Sequence, residues 1–316
     1  MLKISALLCT ISVIVLSAIP SYGFNYGVCL GVRFQSTDVT EQAFRLLSEA
    51  GVSWLRTDFV WRNIEQKEGE YNFERYDELV EVAKKHNIKI LGLISSAPEW
   101  SSGSKDISAP PKDLAAWERF VKVMVGRYKN DITHWQIWNE PDLKKFWKGT
   151  PAEYIDLLKI AHRVIKAVDP SINVVSGGLD GRGEKYLPQL LELGLASYVD
   201  IIAFHPYGKT PERSVEKVKK IISILGKNNI KKPLWFTEIG WQAGGKAYDI
   251  AIVDSEETKA AYLRQVFHLL KPYGDAIFWF NGVDIPGAFG LIERNEARLK
   301  IVPAYKAYTE AVGHVK

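Results

Sequence analysis

Covalent staples are the first thing this chain does without. It has two cysteines in 316 residues, and one of them, Cys9, falls in an apolar leader. A chain left with Cys29 alone cannot close an internal disulfide, so its core must hold it together. Cys29 itself reads as a small apolar side chain in a buried strand. The six histidines are scattered, and no C-x-x-C or H-x-x-x-H motif occurs. That gives no reason to expect a metal. The first strand candidate ends in Cys29-Leu30-Gly31-Val32-Arg33, with one glycine and no phosphate-binding loop, so no nucleotide cofactor is expected either. Strong charge of one sign is missing too. The formal net charge is +4, and the basic residues fall in scattered clusters such as Lys217 with Lys219 and Lys220, which suits solvated helix faces and not nucleic acid.

A long apolar run occurs once, at the start. Met1-Leu2-Lys3 precedes an uncharged stretch from Ile4 to Ile19, and Pro20-Ser21-Tyr22-Gly23 follows with small residues before Phe24. That layout predicts a signal peptide over 1–23 and a secreted or periplasmic product without stable membrane insertion once it is cleaved. A retained anchor is the competing reading, because the run approaches the roughly 17 to 25 residues that span a bilayer. Residues 24–316 then form one domain. Hydrophobic residues at 47% and charged residues at 25% are ordinary for a protein with a large core.

Within that domain, β-branched and aromatic runs alternate with amphipathic stretches of helical period. Strands are predicted at Tyr26 to Val32, Trp54 to Thr57, Ile88 to Ile94, Thr133 to Trp138, Asn173 to Ser176, Ile201 to Phe204, Leu234 to Thr237 and Ala276 to Phe280. Helices are predicted at Thr40 to Ala50, Phe73 to His86, Leu114 to Tyr128, Ala152 to Val168, Glu184 to Leu193, Glu212 to Leu225, Glu256 to Leu270 and Ala304 to Val312. Eight strand–helix pairs predict a single α/β domain, a (β/α)8 TIM barrel. An open doubly wound sheet is the alternative, disfavoured by the missing phosphate loop. Thr150-Pro151 and Asp254-Ser255 supply helix starts, and Gly51 and Gly226 fall where helix ends favour a left-handed residue.

In such a barrel the C-terminal strand ends build the site. The fourth reads Trp138-Asn139-Glu140-Pro141-Asp142, the sixth Phe204-His205-Pro206-Tyr207 and the seventh Thr237-Glu238. Glu140 and Glu238 are far apart in sequence, yet strands four and seven open into one cleft, where two carboxylates can share the work of glycoside hydrolysis. Ten tryptophans add flat apolar faces of the kind that stack on sugars. Trp61, Trp100, Trp241 and Trp279 are candidate platforms, with Trp279 under the cleaved sugar. Trp138 and Trp147 also fall at strand ends.

Asn139-Glu140-Pro141 with Thr237-Glu238 resembles the catalytic signatures of retaining (β/α)8 glycoside hydrolases whose glutamates sit on strands four and seven. Arg56-Thr57-Asp58 with Trp61, and Phe204-His205-Pro206-Tyr207, place the likeness nearest to glycoside hydrolase family 39, with families 5 and 42 close to it. The resemblance implies Glu140 as acid/base, Glu238 as nucleophile and Asn139 on the sugar 2-hydroxyl. It also implies Arg56 and Tyr207 steadying Glu238, with His205 holding substrate or a loop. The implied partner is an oligosaccharide or polysaccharide, with no metal or other cofactor. A monomer is expected. Family members that release single xylose units carry an extra β-domain, and this chain stops near its eighth helix, so the expectation is endo-cleavage of a polysaccharide such as an exopolysaccharide. An exo-acting β-xylosidase, a transglycosylase and a sugar-binding barrel without turnover are the alternatives.

Overall fold

The computed structural model describes residues 24–31, 37–180, 183–243, 252–253, 255–284, 288–296 and 298–314. The predicted signal peptide over 1–23 and the residues Val32 and Asp254 lie outside them. Eight parallel strands form the centre: β1 (Asn25–Cys29), β2 (Trp54–Val60), β3 (Lys89–Ser95), β4 (His134–Ile137), β5 (Asn173–Val175), β6 (Ile202–Phe204), β7 (Leu234–Ile239) and β8 (Ala276–Trp279). Their hydrogen-bonded order is β5-β4-β3-β2-β1-β8-β7-β6, and a parallel bridge between Val175 and Ile201 joins the two ends of that order. The result is a (β/α)8 barrel. Helices α1 (Thr37–Glu49), α2 (Glu74–Lys85), α3 (Leu114–Tyr128), α4 (Pro151–Val168), α5 (Gly183–Glu192), α6 (Pro211–Lys227), α7 (Glu256–Leu270) and α8 (Pro303–Ala311) follow the strands in turn.

Local chemistry sets the helix starts. Thr150 and Glu153 form a reciprocal capping box with Pro151 in the first turn of α4, and Ser255 caps α7. These caps satisfy backbone N–H groups that the first turn would otherwise leave without partners. Gly51 ends α1 with φ +85, as expected, but Gly226 lies inside α6 and Asn229 takes the left-handed conformation there. An asparagine tolerates that region better than most side chains, so α6 runs on to Lys227, two residues beyond the Leu225 end that the glycine suggested.

Strand pleating divides the core into two layers. Cys29, Trp54, Leu91, Ala203, Trp235, Ala276 and Phe278 point into the barrel. Their sequence neighbours pack outward against the helices. At the N-terminal end, Trp54 meets Trp235 edge-on at 5.3 Å, and the His134 ring stacks on Trp235 at 5.0 Å. His134 is half-buried there with its ring nitrogens on Thr133 and Asn173. Burial, with the charge of nearby Lys89, pulls its pKa from 6.5 down to about 4. Among the described residues, no helix is long and apolar enough to cross a membrane.

The unfolded chain takes up a proton at His134 near pH 6.5, and the folded chain holds out to about pH 4, so stability is lost as pH falls through that window. The loss assigned to His134 is about 2 kcal/mol between pH 7 and pH 5. Urea unfolding of wild type and His134→Gln at both pH values measures it, and equal pH slopes in the two proteins would remove His134 as the cause.

Candidate active site

The C-terminal strand ends turn polar, and two backbone irregularities aim their side chains. Between β7 and β8 the register slips: Phe236 pairs with Ile277, but Ile239 pairs with Trp279. One extra residue in β7 makes a bulge, which re-aims side chains at a strand end. Thr237 and Glu238 are therefore both presented to the interior, where a regular pleat would face one of them outward. After β4, Trp138 and Glu140 adopt positive φ of 68 and 42, and Glu140 N donates to Gly178 O at 3.1 Å. Gly178 has a second role. A Cβ there would stand 2.0 Å from His205 Nε2, so only glycine leaves room for that ring.

Arg56, buried within β2, holds the parts together. Its Nη1 donates to Glu238 Oε1 at 2.6 Å, its Nη2 to Asn139 Oδ1 at 2.7 Å and its Nε to Gln136 Oε1 at 2.6 Å. Glu238 Oε2 accepts from Tyr207 Oη at 2.9 Å. His205, fully buried, sets Nδ1 2.8 Å from Glu140 Oε1 and Nε2 3.0 Å from Thr237 Oγ1. Carboxylate oxygens of Glu140 and Glu238 and a His205 nitrogen all lie within 4.8 Å of one another. The sequence-predicted residues Glu140, Glu238, Asn139, Arg56, His205 and Tyr207 are thus brought into one cluster.

The two carboxyls sit in opposite electrostatic surroundings. Burial lifts Glu140 above the usual carboxylate range, and the nearby Glu238 and Asp180 charges add to it against the hydrogen bond of His205. Burial would lift Glu238 as well. There the neighbouring His205 and Arg56, with hydrogen bonds from Tyr207 and Arg56, outweigh it and leave the carboxyl below its ordinary value. One group is arranged to keep a proton and the other to be without one, which is the division acid–base chemistry requires.

Above the pair lies a cavity of about 580 Å³. Cys29, Arg56, Asp58, Trp138, Asn139, Glu140, Lys145, Phe146, Glu238, Phe280, Asp284 and Arg294 are among its walls. Strands β8 and β4 stand on opposite sides of the ring, so the cavity crosses the barrel mouth, with the two glutamates in its wall.

The aromatic expectations need correction. Trp279 is fully buried, its indole N–H donates to Phe289 O, and it packs on Phe267 of α7. It shares its pleat with Ile277, which faces the helices, and Phe280 shares the inward face of Ala276 and Phe278 and lines the cavity. The candidate platform is therefore Phe280, one residue further on. Trp61 is buried against Phe120 of α3, with its N–H on Glu65 Oε2. Trp100 packs edge-on against Trp61 and donates to Glu65 O. Trp241 stacks on Tyr262 of α7 at 4.2 Å. None of these four is among the described residues lining the cavity. Trp138 lines it and Trp147 is buried behind it.

Gln136, Thr237 and Gly178 were not singled out in the sequence as functional residues. Gln136 carried a usable signal, as a polar residue inside the apolar strand Trp135-Gln136-Ile137, since a buried polar group has to have partners.

Removing the Tyr207 hydroxyl should raise the pH at which Glu238 takes up its proton. A hydrogen bond to a charged group contributes about 1.5–3 kcal/mol, or roughly one to two pKa units. Carbon-13 NMR titration of the Glu238 carboxyl in wild type and Tyr207→Phe reads the shift, and an unmoved midpoint would discount that bond.

Residues 33–233 match the model of glycosyl hydrolases family 39. A β-xylosidase of Caldicellulosiruptor saccharolyticus is 31% identical over 154 residues, covering 43% of this chain and 31% of that protein. A β-xylosidase of Geobacillus stearothermophilus is 24% identical over 271 residues, covering 70% of this chain and 53% of that one. Among solved structures, a family 39 glycoside hydrolase from Bacteroides cellulosilyticus WH2 superposes with a TM-score of 0.75 at 23% identity, over 91% of this chain and 63% of its own. A monomeric β-xylosidase from Caulobacter crescentus CB15 gives 0.74 at 21%, over 93% and 68%. The chain thus spans about half or less of the two curated relatives.

Proposed function

The chain belongs to glycosyl hydrolase family 39, and on that premise we propose that it is a retaining O-glycoside hydrolase with Glu238 as nucleophile and Glu140 as acid/base. The observation that carries this reading is the carboxylate pair itself, with oxygens within 4.8 Å and environments that push the two pKa values apart. Retaining enzymes hold their carboxyls roughly 5 to 5.5 Å apart, too close for the interposed water that inversion needs.

The steps follow from the geometry. Glu238, ionised beside Arg56, attacks the anomeric carbon as Glu140 gives its proton to the departing oxygen. Formation of the glycosyl ester removes the Glu238 charge, which lowers the pKa of Glu140 and lets it draw a proton from the incoming water. Asn139 has its oxygen committed to Arg56, so its NH2 group is the end left to face the cavity and donate to the sugar hydroxyl beside the anomeric carbon. Phe280 offers the apolar face beneath that sugar.

For substrate we favour endo-cleavage of a polysaccharide. The cavity reaches across the barrel mouth from β8 to β4 with both glutamates in its wall, which suits a chain lying through the site. Exo-release of xylose is the second reading, favoured by the two β-xylosidases among the relatives. We further propose that residues 1–23 are an export signal and that the product acts outside the cytoplasm as a monomer. Mass spectrometry and light scattering of exported protein check both, and an intact Met1 or a stable dimer would count against them.

Glu238→Ala should lower turnover by about 10⁴-fold or more. Glu140→Ala should lose rate chiefly on substrates with poor leaving groups, and azide should restore it on good ones. A proton NMR time course should show the first product with the configuration of the substrate, and an inverted anomer would refute retention. On xylan and exopolysaccharide substrates a ladder of oligosaccharides supports endo-cleavage, and xylose as sole product replaces it with the second reading. Constant reducing ends while products lengthen would point to transglycosylation.

A further inference from the structure

Beneath the two glutamates runs a chain of buried hydrogen bonds whose direction follows from one donor. Arg56 Nε can only donate, so the Gln136 atom 2.6 Å away is its oxygen. The Gln136 amide nitrogen must then face Ser176 O at 2.9 Å and Thr237 Oγ1 at 3.2 Å. Ser176 O can only accept, which agrees. Thr237 Oγ1 therefore receives a hydrogen from Gln136 and has one of its own to place. The acceptor in reach is His205 Nε2, at 3.0 Å. With Nε2 accepting, the ring proton belongs on Nδ1, where it points at Glu140 Oε1, 2.8 Å away. The reverse arrangement puts hydrogens from both Gln136 and His205 on Thr237 Oγ1 and leaves a fully buried hydroxyl hydrogen with no acceptor. A buried hydrogen-bond donor left without an acceptor is destabilising, so that arrangement is disfavoured.

We propose that Thr237 is a positioning residue that fixes the His205 tautomer, so that Glu140 Oε1 always accepts from His205 and the transferable proton rides on Oε2, toward the cleft. The inference rests on the reading of Glu140 as acid/base. If Nδ1 were bare, it would compete for the catalytic proton, holding it on Oε1 as Glu140 O–H to Nδ1 and away from the glycosidic oxygen. The Nδ1–H donor also helps the same carboxylate in the second step, when Glu140 must be ionised to receive a proton from water. Thr237 touches neither sugar nor reacting atoms in this scheme. Its effect passes through His205.

Nitrogen-15 NMR of histidine-labelled protein reads the tautomer without any substrate. Wild type and Thr237→Ser should show His205 protonated at Nδ1 and unprotonated at Nε2. In Thr237→Val, which removes the donor, the Nε2-protonated form should appear. Two glycosides with one sugar and leaving groups of high and low pKa give the kinetic readout. Thr237→Val should lose about tenfold or more on the poor leaving group, a part of what general acid catalysis contributes, and markedly less on the good one. Thr237→Ser should keep both rates. Protonated Nε2 with bare Nδ1 in wild type overturns the proposal, as does an equal loss on both substrates, which would make Thr237 merely structural. Should Thr237→Val fail to fold, the wild-type and serine spectra still decide the tautomer. If Glu140→Gln shows no leaving-group dependence, the acid/base reading itself falls, independently of the tautomer result.

Discussion

A buried guanidinium has to be fully engaged, because a charge taken out of water without partners costs several kcal/mol. Arg56 meets that requirement with all three nitrogens, and each bond sets something the site needs. The bond to Glu238 supports its ionised form. The bond to Asn139 turns its amide so that the NH2 end is left for a ligand. The bond to Gln136 orients a second amide and, through Thr237 and His205, reaches the other carboxyl. One side chain, fixed by the pitch of β2, thus orders both halves of the carboxylate pair.

Those bonds close because the barrel brings separate strand ends to one level. Cys29 pairs with Arg56 across β1 and β2, and Leu93 pairs with Gln136 across β3 and β4. Regular pleating would still face Thr237 and Glu238 to opposite sides. The bulge in β7 lets both serve the interior. The positive φ angles at Trp138 and Glu140 do the matching work on β4. Residues of this type seldom occupy that region, and the packing of His205 against Gly178 is part of what encloses the turn.

The eight strands and eight helices could be read from sequence because their period-2 and period-3.6 patterns are long and their caps are local. All eight pairs form, with ends moved by a few residues. Glu140 and Glu238 could be read from motif and ordinal strand. The tryptophans could not, since a strand-end aromatic faces the cleft or the helices according to a parity that one residue reverses. Trp279 and Phe280 differ in nothing else that the sequence displays. Trp61 and Trp100 fall beyond their strands, yet Phe120 of α3 and Glu65 draw them into the outer layer. Gly178 depends on contact with His205, just beyond β6, which no local pattern encodes.

Charge balance explains why this cluster can tell its two glutamates apart. Glu140 and Glu238 sit side by side in the cavity wall, and the Arg56 guanidinium bonds Glu238 while Glu140 bonds His205. Glu238 receives in addition the Tyr207 hydroxyl, itself so buried beside that charge that its own ionisation is pushed far upward. A phenol held neutral can only donate to a carboxylate, so it reinforces the asymmetry at every ordinary pH. Glu140 is left with His205, whose ring nitrogen lies 2.8 Å from Oε1 and can hydrogen-bond the carboxyl in either of its protonation states without adding a guanidinium's permanent charge. The group that must change its proton twice in a catalytic cycle thus sits beside an imidazole, and the group that must be ionised to attack sits beside the permanent charge of the guanidinium. Exchanging those partners would keep every residue type and lose the division of labour.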